Sequence, residues 1–317
     1  MFRHLHITNR RERWLVGLAD LALRVLAAAG RLVGAARPVE RTPLRRILLL
    51  RLERVGDLLM VLDALAMVRE LAPSAHIDLV VGRWNAALAG IIPGIDSVET
   101  LDAPWMARAW AGQSWPALLR YAWGWRRRRY DLAINFESDI RSNLLLWLSG
   151  SRRRVGFGSG GGGALLTDVV VADRTEHVAA NASLVVARAF DQPAAATADV
   201  PGRKQRRKHR LDIPAAARQR ATALLADVGD SERLVGLQPG AGRQLREWDP
   251  ARFGAVATEL ARGGPVSFVL TGSAADAAAL AGVTTTWPPD LRLIVLPVDT
   301  DLVVLAAVIE RLSLFIT

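Results

Sequence analysis

Short apolar runs alternate with longer amphipathic segments through most of the chain from Pro43 onward. Runs of this length are typical of buried strands, and the segments between them have the apolar spacing of helices. Strands that alternate with helices form βαβ units, so the order predicts α/β domains with doubly wound parallel sheets. The predicted strands are 46–52, 77–81, 98–101, 132–136, 234–238, 266–270, 291–296 and 314–316.

Helices are predicted between these strands. The clearest helix start is at residue 250, because Asp249 is a favourable N-cap and Pro250 suits the first helical position. Pro73 ends the helix that is predicted to begin at Asp57. The predicted helices are 57–71, 114–129, 143–148, 177–190, 214–226, 250–262, 276–281 and 302–310.

The length of 317 residues favours two domains, since a domain usually contains about 150 residues. An Ala- and Pro-rich stretch that becomes strongly basic interrupts the alternation at 192–210, and we interpret it as the connection. We expect two α/β domains in tandem to bind a ligand in the cleft between the carboxyl ends of their strands. The predicted parts are an amphipathic helical extension (1–43), a Rossmann-like domain (44–200), a basic linker (201–213) and a second Rossmann-like domain (214–317).

The N-terminal stretch 13–34 is apolar but contains Arg13, Asp20, Arg24 and Arg31. These charges exclude a transmembrane helix, which needs about 20 residues with few or no charges. At about 100° per residue, the four charges fall within about 40° of one another on a helix. This narrow polar stripe leaves two interpretations open. The helix binds an anionic membrane surface, or it docks on its own domain or on a second subunit.

The amino-acid composition excludes several kinds of site and favours certain partners. The chain has no cysteine, which excludes a disulfide framework, a thiolate nucleophile and a cysteine-ligated metal site. Its five histidines form no recognisable metal motif, so no metal is expected. The net charge of +10 favours anionic partners such as phosphates, nucleotides and anionic lipids. No DNA- or RNA-binding motif accompanies this charge, and no specific nucleic-acid partner is predicted.

Two loops that directly follow predicted strands are candidate sites. In the loop 51–57, Gly56 permits close approach of a substrate, and Asp57 places a carboxylate at a helix N-terminus. In the second loop, small residues expose backbone N–H groups beside arginines, as in a diphosphate-binding loop. The second loop contains Gln238, Pro239, Gly240, Ala241 and Gly242, followed by Arg243, Arg246 and Trp248. The alternatives are that Asp57 only caps its helix and that the second loop is an ordinary connection.

A third candidate follows the strand 266–270, where Thr271 and Gly272 precede Asp276. The carboxylate of Asp276 either holds ribose hydroxyls or caps the next helix. The run 158–163 fits the G-x-G-x-x-G pattern. Because the residues after it are predicted to be extended and not helical, we predict a flexible loop there and no dinucleotide-binding site.

From about Leu44 to Thr317 the sequence resembles glycosyltransferase family 9, the heptosyltransferase family of lipopolysaccharide assembly. Taken together, the matching segments are specific to this family. They are RILLLRLERVGDLLMVL (46–62), HIDLVVG (76–82), YDLAINF (130–136), RRVGF (153–157), the pair His177 and Asn181, VGLQPGAGRQLREW (235–248), VLTG (269–272) and residues 301–317.

The resemblance implies the GT-B architecture, in which two Rossmann-like domains have the active site between them. It also implies inverting, metal-independent transfer of a heptose-like sugar from a nucleotide sugar such as ADP-heptose to a lipopolysaccharide or other cell-surface glycan acceptor. One carboxylate then takes the proton of the acceptor hydroxyl, while positive charge and N–H donors bind the leaving diphosphate. No cofactor is implied, and the expected location is the cytoplasm, peripheral on the inner face of the bacterial inner membrane.

By the same resemblance, Asp57 is the general base and Arg246 takes the basic position that meets the diphosphate. Thr300 is expected near the base of the nucleotide. The other residues expected on the donor side are Gln238, Pro239, Gly240, Ala241, Gly242, Thr271, Gly272 and Asp276. The residues assigned to the acceptor side are Arg54, Gly56 and Arg141.

The sequence also departs from the family pattern. Asp63 stands where the family usually has proline, and Arg246 replaces the commoner lysine, which keeps the charge and adds a bidentate donor. The family's D-[ST]-G-x-x-H segment is expected to begin just after Thr317, so the second domain is predicted to be incomplete. A different class of function therefore stays open, that of an inactive or fragmentary GT-B nucleotide-binding module.

Overall fold

The structure is a computed structural model that describes residues 5, 9–33, 44–106, 112–193, 211–226, 228–229, 232–241 and 244–317. The chain divides into two compact units, residues 1–211 and 212–317. Each unit has a parallel sheet with helices, as the alternation of apolar runs and amphipathic segments predicts. Gly242, Arg243 and the basic stretch 201–210 lie outside the described residues.

The first unit contains a six-stranded parallel sheet in the order β3-β2-β1-β4-β5-β6. This is the doubly wound order, and the chain reverses its direction of winding between β1 and β4. The strands are β1 (Arg46–Arg51), β2 (His76–Val81), β3 (Ser97–Thr100), β4 (Leu132–Asn135), β5 (Arg153–Phe157) and β6 (Asp168–Val170). The helices are α1 (Arg10–Val33), α2 (Val55–Leu59), α3 (Leu62–Leu71), α4 (Ala86–Ala89), α5 (Trp115–Gly124), α6 (Ile140–Leu148) and α7 (Val178–Ala189).

Strand β1 lies between β2 and β4, and its apolar run is buried on both faces of the sheet. Leu48 and Leu50 point into a cluster that α5 and α6 cover with Leu118 and Leu145. A central parallel strand is expected to be apolar at consecutive positions for this reason. The sequence therefore places β1 at the centre of the sheet and its carboxyl end at the edge where ligands bind.

Two of the predicted helices are broken in the structure. The helix predicted over 57–71 is interrupted between Leu59 and Leu62. Val61, in the break, has a φ of −103° and a ψ of 4°, which are not helical, and its side chain is buried, like that of Leu58. The helix predicted over 114–129 becomes a 3₁₀ turn at Trp125–Arg128. Here Trp125 is buried, and Arg128 is held by Glu99 of β3 and by Asp78 of β2. These tertiary contacts outweigh the helical pattern.

The glycine run 158–163 is a packed loop, and no helix follows it. A Cβ at Gly160 would lie 1.9 Å from the carbonyl oxygen of Ser138, so the close approach requires glycine. Gly161 and Gly162 have φ of +94° and +73°. The short turn Gly163–Leu165 and strand β6 follow in place of an α-helix, as predicted, whereas the close packing differs from the flexible loop that we predicted.

The second unit contains a four-stranded parallel sheet in the order β10-β7-β8-β9. One face of the sheet packs against α8 and α11 through Leu234 and Val269, and the other packs against α9 and α10 through Val235 and Phe268. Side chains alternate between the faces as the pleat requires. The strands are β7 (Arg233–Leu237), β8 (Val266–Leu270), β9 (Leu293–Val295) and β10 (Leu314–Ile316). The helices are α8 (Ala215–Leu224), α9 (Pro250–Ala261), α10 (Ala277–Thr285) and α11 (Leu302–Arg311).

Helix α1 docks on the loop after β5, as one of the two interpretations of the N-terminal stretch predicts. The contact is made by the polar stripe, because Asp20 is buried and bonded to the backbone of Gly162. Within the part of the chain that the structure describes, no helix has both the length and the apolar character required to cross a membrane.

Candidate active site

The loops after β1 and β4 meet at the point where the first sheet changes its winding direction. In a doubly wound sheet this is the position of the ligand-binding crevice, at the carboxyl ends of the strands. Four carboxylates lie on these two loops, together with the buried guanidinium of Arg51 at the end of β1. The carboxylates are those of Glu53, Asp57, Glu137 and Asp139.

Arg51 joins the two loops. Its guanidinium donates to the carbonyl oxygen of Phe136 after β4 (Nη1 to O, 2.7 Å) and to that of Asp57 after β1 (Nε to O, 3.2 Å). It also forms an ion pair with Glu53 (Nη1 to Oε2, 2.7 Å). A buried arginine needs such partners because an unpaired buried charge is very costly. Arg51 therefore fixes the position of the loop that contains Asp57.

Glu137 lies beneath this loop. Its Oε1 accepts a short hydrogen bond from the backbone N–H of Leu52, and its Oε2 accepts one from the hydroxyl of Ser142 (2.7 Å). The side chain is fully buried, and burial, assisted by the nearby charge of Glu53, raises the pKa of Glu137 to about 7. Burial is also the main reason why the pKa of Glu53 is raised. Burial thus disfavours the ionised forms of both Glu137 and Glu53 at this edge.

Asp57 differs from the other three carboxylates of the edge in its surroundings. Glu137 is buried, Glu53 pairs with Arg51 at 2.7 Å, and Asp139 is bound by both Nε and Nη2 of Arg141. The side chain of Asp57 is 38% exposed, and its Oδ1 lies 3.8 Å from Nη2 of Arg51. Of the four, Asp57 is therefore the most exposed carboxylate and the one whose ion pair with arginine is long.

Asp57 also caps α2, which is the alternative role expected from the sequence. Its Oδ2 accepts from the backbone N–H of Arg54 at 3.1 Å. This bond uses one oxygen and holds the carboxylate in a fixed orientation. The two roles are compatible, since capping uses Oδ2, whereas Oδ1 lies 3.8 Å from Nη2 of Arg51 and the side chain is 38% exposed.

The residues assigned to the acceptor side lie on the same two loops. Arg54 and Gly56 flank Asp57, and a Cβ at Gly56 would have no atom within 4 Å, so that surface is open. Arg141 is in the first turn of α6, which Asp139 caps (Oδ1 to Arg141 N, 2.7 Å). The guanidinium of Arg141 also lies 4.8 Å from the ring centroid of Trp105. A polar surface with an aromatic neighbour is suited to a carbohydrate.

In the second unit, the loops after β7 and β8 come together. Gln238 to Ala241 follow β7, and Thr271 and Gly272 follow β8 beside it. Asp276 joins the loops, because a Cβ at Gly240 would lie only 2.1 Å from its Oδ1. Its other oxygen accepts from the backbone N–H and the hydroxyl of Ser273, both at 2.8 Å. Asp276 therefore caps the turn, as one alternative predicts, and also faces the loop after β7.

Two other residues that the resemblance assigns to the sugar-donor side are not bonded to this group in the described part of the chain. Arg246 is exposed at the end of the 3₁₀ turn Gln244–Arg246, and Thr300 follows β9, where its hydroxyl donates to the carbonyl oxygen of Pro297. Over the described ranges, neither side chain has a hydrogen bond or ion pair with the loop after β7 or with Asp276. Gly242, the remaining donor residue, lies outside those ranges.

Sequence reasoning missed Glu137 as part of the site, and it included Arg51 in the candidate loop 51–57 without giving it a role. The signal for Glu137 was present, since it follows the predicted strand 132–136 directly, as Gln238 follows the strand of the second loop. A buried arginine gives no such signal, because an arginine at a strand end is usually exposed. In the described residues, no group of three or more histidine, aspartate or glutamate side chains is arranged to hold a metal ion.

Comparison with known proteins agrees with this architecture. A family model for glycosyltransferase family 9 (heptosyltransferase) matches residues 119–317. The chain is also similar to the structure of E. coli ADP-heptose lps heptosyltransferase II, with a TM-score of 0.70 and 18% identity over 85% of this chain and 78% of that one. A search of curated proteins found no match.

Two further solved structures share the fold. The glycosyl transferase family 9 structure from Veillonella parvula has a TM-score of 0.69 and 20% identity over 86% of this chain and 75% of that chain. E. coli heptosyltransferase WaaC with ADP has a TM-score of 0.61 and 16% identity over 85% of this chain and 80% of that chain. The two parallel sheets are those of the GT-B fold class. The chain belongs to glycosyltransferase family 9, the heptosyltransferase family, and is a glycosyltransferase.

Proposed function

We propose that this glycosyltransferase moves a heptose-like sugar from a nucleoside-diphosphate donor to a lipopolysaccharide or other cell-surface glycan acceptor, with inversion and without a metal. The acceptor oxygen attacks the anomeric carbon, its proton passes to Oδ1 of Asp57, and the bond from that carbon to the diphosphate oxygen breaks. The leaving nucleoside diphosphate keeps the electron pair. The observation that carries the proposal is the partly exposed carboxylate of Asp57 at the β1–β4 edge.

The charge of the other carboxylates supports this choice of base. A general base must be ionised, within reach of its proton and not already neutralised by a tight ion pair. Glu53 and Asp139 have arginine partners, and Glu137 is inaccessible. Asp57 is 38% exposed and its ion pair with Arg51 is long, at 3.8 Å, whereas the alternative of a pure helix cap would explain only its bond to the backbone of Arg54.

The donor side of the proposal lies on the second unit. Backbone groups of the loop after β7, Asp276 and the positive charge of Arg246 have the chemistry needed for the ribose and the diphosphate. ADP is the favoured nucleotide, because one of the solved structures that share this fold is E. coli heptosyltransferase WaaC with ADP-2-deoxy-2-fluoro heptose. Donor binding should then be independent of divalent cations.

The first test measures nucleotide binding and transfer by the full chain. We expect titration calorimetry to give the tightest binding for ADP among ADP, UDP, GDP and CDP, with the same Kd in the presence of EDTA or Mg²⁺. Transfer from an ADP-sugar to a glycan acceptor should give a product of inverted anomeric configuration by NMR. Binding that requires Mg²⁺ would reject the metal-independent mechanism, and ADP binding without any transfer would favour the nucleotide-binding module.

A second test uses the close approach of Gly240 to Asp276. A Cβ at Gly240 would lie 2.1 Å from Oδ1 and 2.8 Å from Cβ of Asp276, so Gly240→Ala must displace that side chain or the loop. We expect the ADP affinity to fall about tenfold, equivalent to about 1.4 kcal/mol. Gly229→Ala is the matched control, since its Cβ would meet only the flexible side chain of Glu232, at 3.4 Å. Equal ADP affinity in the two variants would remove this loop from the donor site.

A further inference from the structure

The face of α1 that packs on its unit contains a buried carboxylate, that of Asp20, together with Val16 and Gly17. Asp20 is 2% exposed, and its Oδ1 accepts from the backbone N–H of Gly162 at 2.7 Å. Its Oδ2 binds the guanidinium of Arg24, with distances of 3.0 Å to Nε and 2.9 Å to Nη2. A surface helix normally buries its apolar stripe and exposes its charges. In α1, by contrast, the carboxylate of Asp20 is buried at the contact.

The opposite side of α1 is apolar and faces solvent. Leu15, Leu18, Leu21 and Val25 are 70%, 54%, 48% and 63% exposed. Their spacing of three or four residues puts them in one row along the helix. A contiguous apolar patch of this kind on a soluble surface indicates an interaction site and not packing within the unit.

The charge near this row indicates which partner it fits. Arg10 and Arg11 are exposed at the start of the helix, and the segment Arg10–Val33 has five arginines against two acidic residues. Apolar side chains beside exposed arginines are typical of helices that lie in the interface of an anionic bilayer. A protein partner would need an acidic and apolar groove, whereas an anionic bilayer supplies both kinds of contact at any point on its surface.

We propose that α1 lies in the surface of an anionic phospholipid bilayer, with the row from Leu15 to Val25 buried among the acyl chains. The polar stripe of α1 stays bound to the first unit through the hydrogen bond between Asp20 and Gly162. The contact is rigid because it joins a buried carboxylate to a loop in which three glycines are tightly packed. Membrane binding through α1 therefore orients the whole first unit and does not act as a flexible tether.

This orientation has a consequence for the acceptor, and this step rests on the proposed function. The loop that contains Gly162 follows β5 at the carboxyl edge of the sheet, the edge that also contains Asp57. A Cβ at Gly161 of this loop would lie 2.9 Å from Cγ1 of Val16 in α1 and 3.3 Å from Cβ of Ile140, the residue before Arg141. The start of α1 is thus near the acceptor side. The bilayer would hold this edge close to the sugars of a lipid-linked glycan.

Vesicle binding by the full chain, without donor or acceptor, tests the proposal. We expect the enzyme to float with vesicles of phosphatidylethanolamine and phosphatidylglycerol and to bind pure phosphatidylcholine vesicles at least tenfold less. The double variant Leu15→Gln/Leu18→Gln should bind the anionic vesicles at least tenfold less than the unmodified chain. These side chains are exposed, so its thermal unfolding and its ADP affinity should be unchanged.

The matched control changes two exposed apolar residues that lie outside α1. Val171→Gln/Ile309→Gln should bind the anionic vesicles as the unmodified chain does. Undiminished vesicle binding by Leu15→Gln/Leu18→Gln would overturn the proposal. A dimer of the unmodified chain that Leu15→Gln/Leu18→Gln converts to monomer would also overturn it, in favour of a second copy on this face. Vesicle binding is measured without substrates, so a failure of the proposed transfer reaction would be seen separately in the ADP and transfer assays.

Discussion

We expect Asp57→Asn to lower kcat by about 10² to 10⁴, the range that a positioned general base contributes, while the ADP affinity stays within about threefold. The carboxylate is proposed to take the acceptor proton only as the new bond forms, so its loss should raise the barrier without weakening ground-state binding of the donor. Steady-state kinetics with a glycan acceptor and calorimetry with ADP measure the two quantities.

Asparagine is the informative substitution because Asp57 has two roles. Its amide oxygen can still accept from the backbone N–H of Arg54, so the cap of α2 is retained. Asp57→Ala removes the cap as well and should cost about 1 kcal/mol of stability, which separates folding from catalysis. Glu70→Gln removes an exposed carboxylate from α3 in the same unit and serves as the control. Normal turnover in Asp57→Asn would reject the base assignment.

Much of the fold could be predicted because central parallel strands are consecutive apolar runs. The runs around Leu48 and Val269 had no other plausible structure, and the loops after them were therefore placed correctly at the carboxyl edges. Where a predicted helix ended too late, a contact between residues far apart in the sequence determines its true end. The end of the helix predicted over 114–129 depends on the ion pair of Arg128 with Glu99, which no local pattern contains.

The orientation of α1 also could not be predicted from its local sequence. A helical wheel divides its residues into a charged stripe and an apolar row, but it does not state which of them faces the protein. That choice depends on Asp20 and Gly162, which are 142 residues apart in the chain. The sequence likewise indicated only part of the candidate site. Asp57 and the loop after β7 follow strands in an obvious manner, whereas Arg51 and Glu137 matter because they are buried, which only the structure shows.

Glu137 also makes the stability of the first unit depend on pH. Its pKa of about 7 in the folded chain is above the ordinary value of 4.5, so the folded state binds more protons between these values. The stabilisation from protonated Glu137 is complete below about pH 4.5 and is lost as the pH rises through 7. A difference of this size corresponds to about 3 kcal/mol of unfolding free energy. The raised pKa of Glu53 acts in the same direction.

We therefore expect Glu137→Gln to abolish most of the fall in unfolding free energy between pH 5 and pH 8, and to be the more stable protein at pH 8. The neutral amide can accept from the backbone N–H of Leu52 and donate to the hydroxyl of Ser142, so the contacts of the buried side chain are kept. Urea unfolding followed by tryptophan fluorescence reports mainly on the first unit, which has eight of the ten tryptophans. Glu176→Gln removes an exposed carboxylate of the same unit and should leave the pH dependence as in the unmodified chain. An equal fall with pH in Glu137→Gln would mean that Glu137 is ionised in the folded state at pH 5, and that its charge is compensated by Arg51 and the two hydrogen bonds.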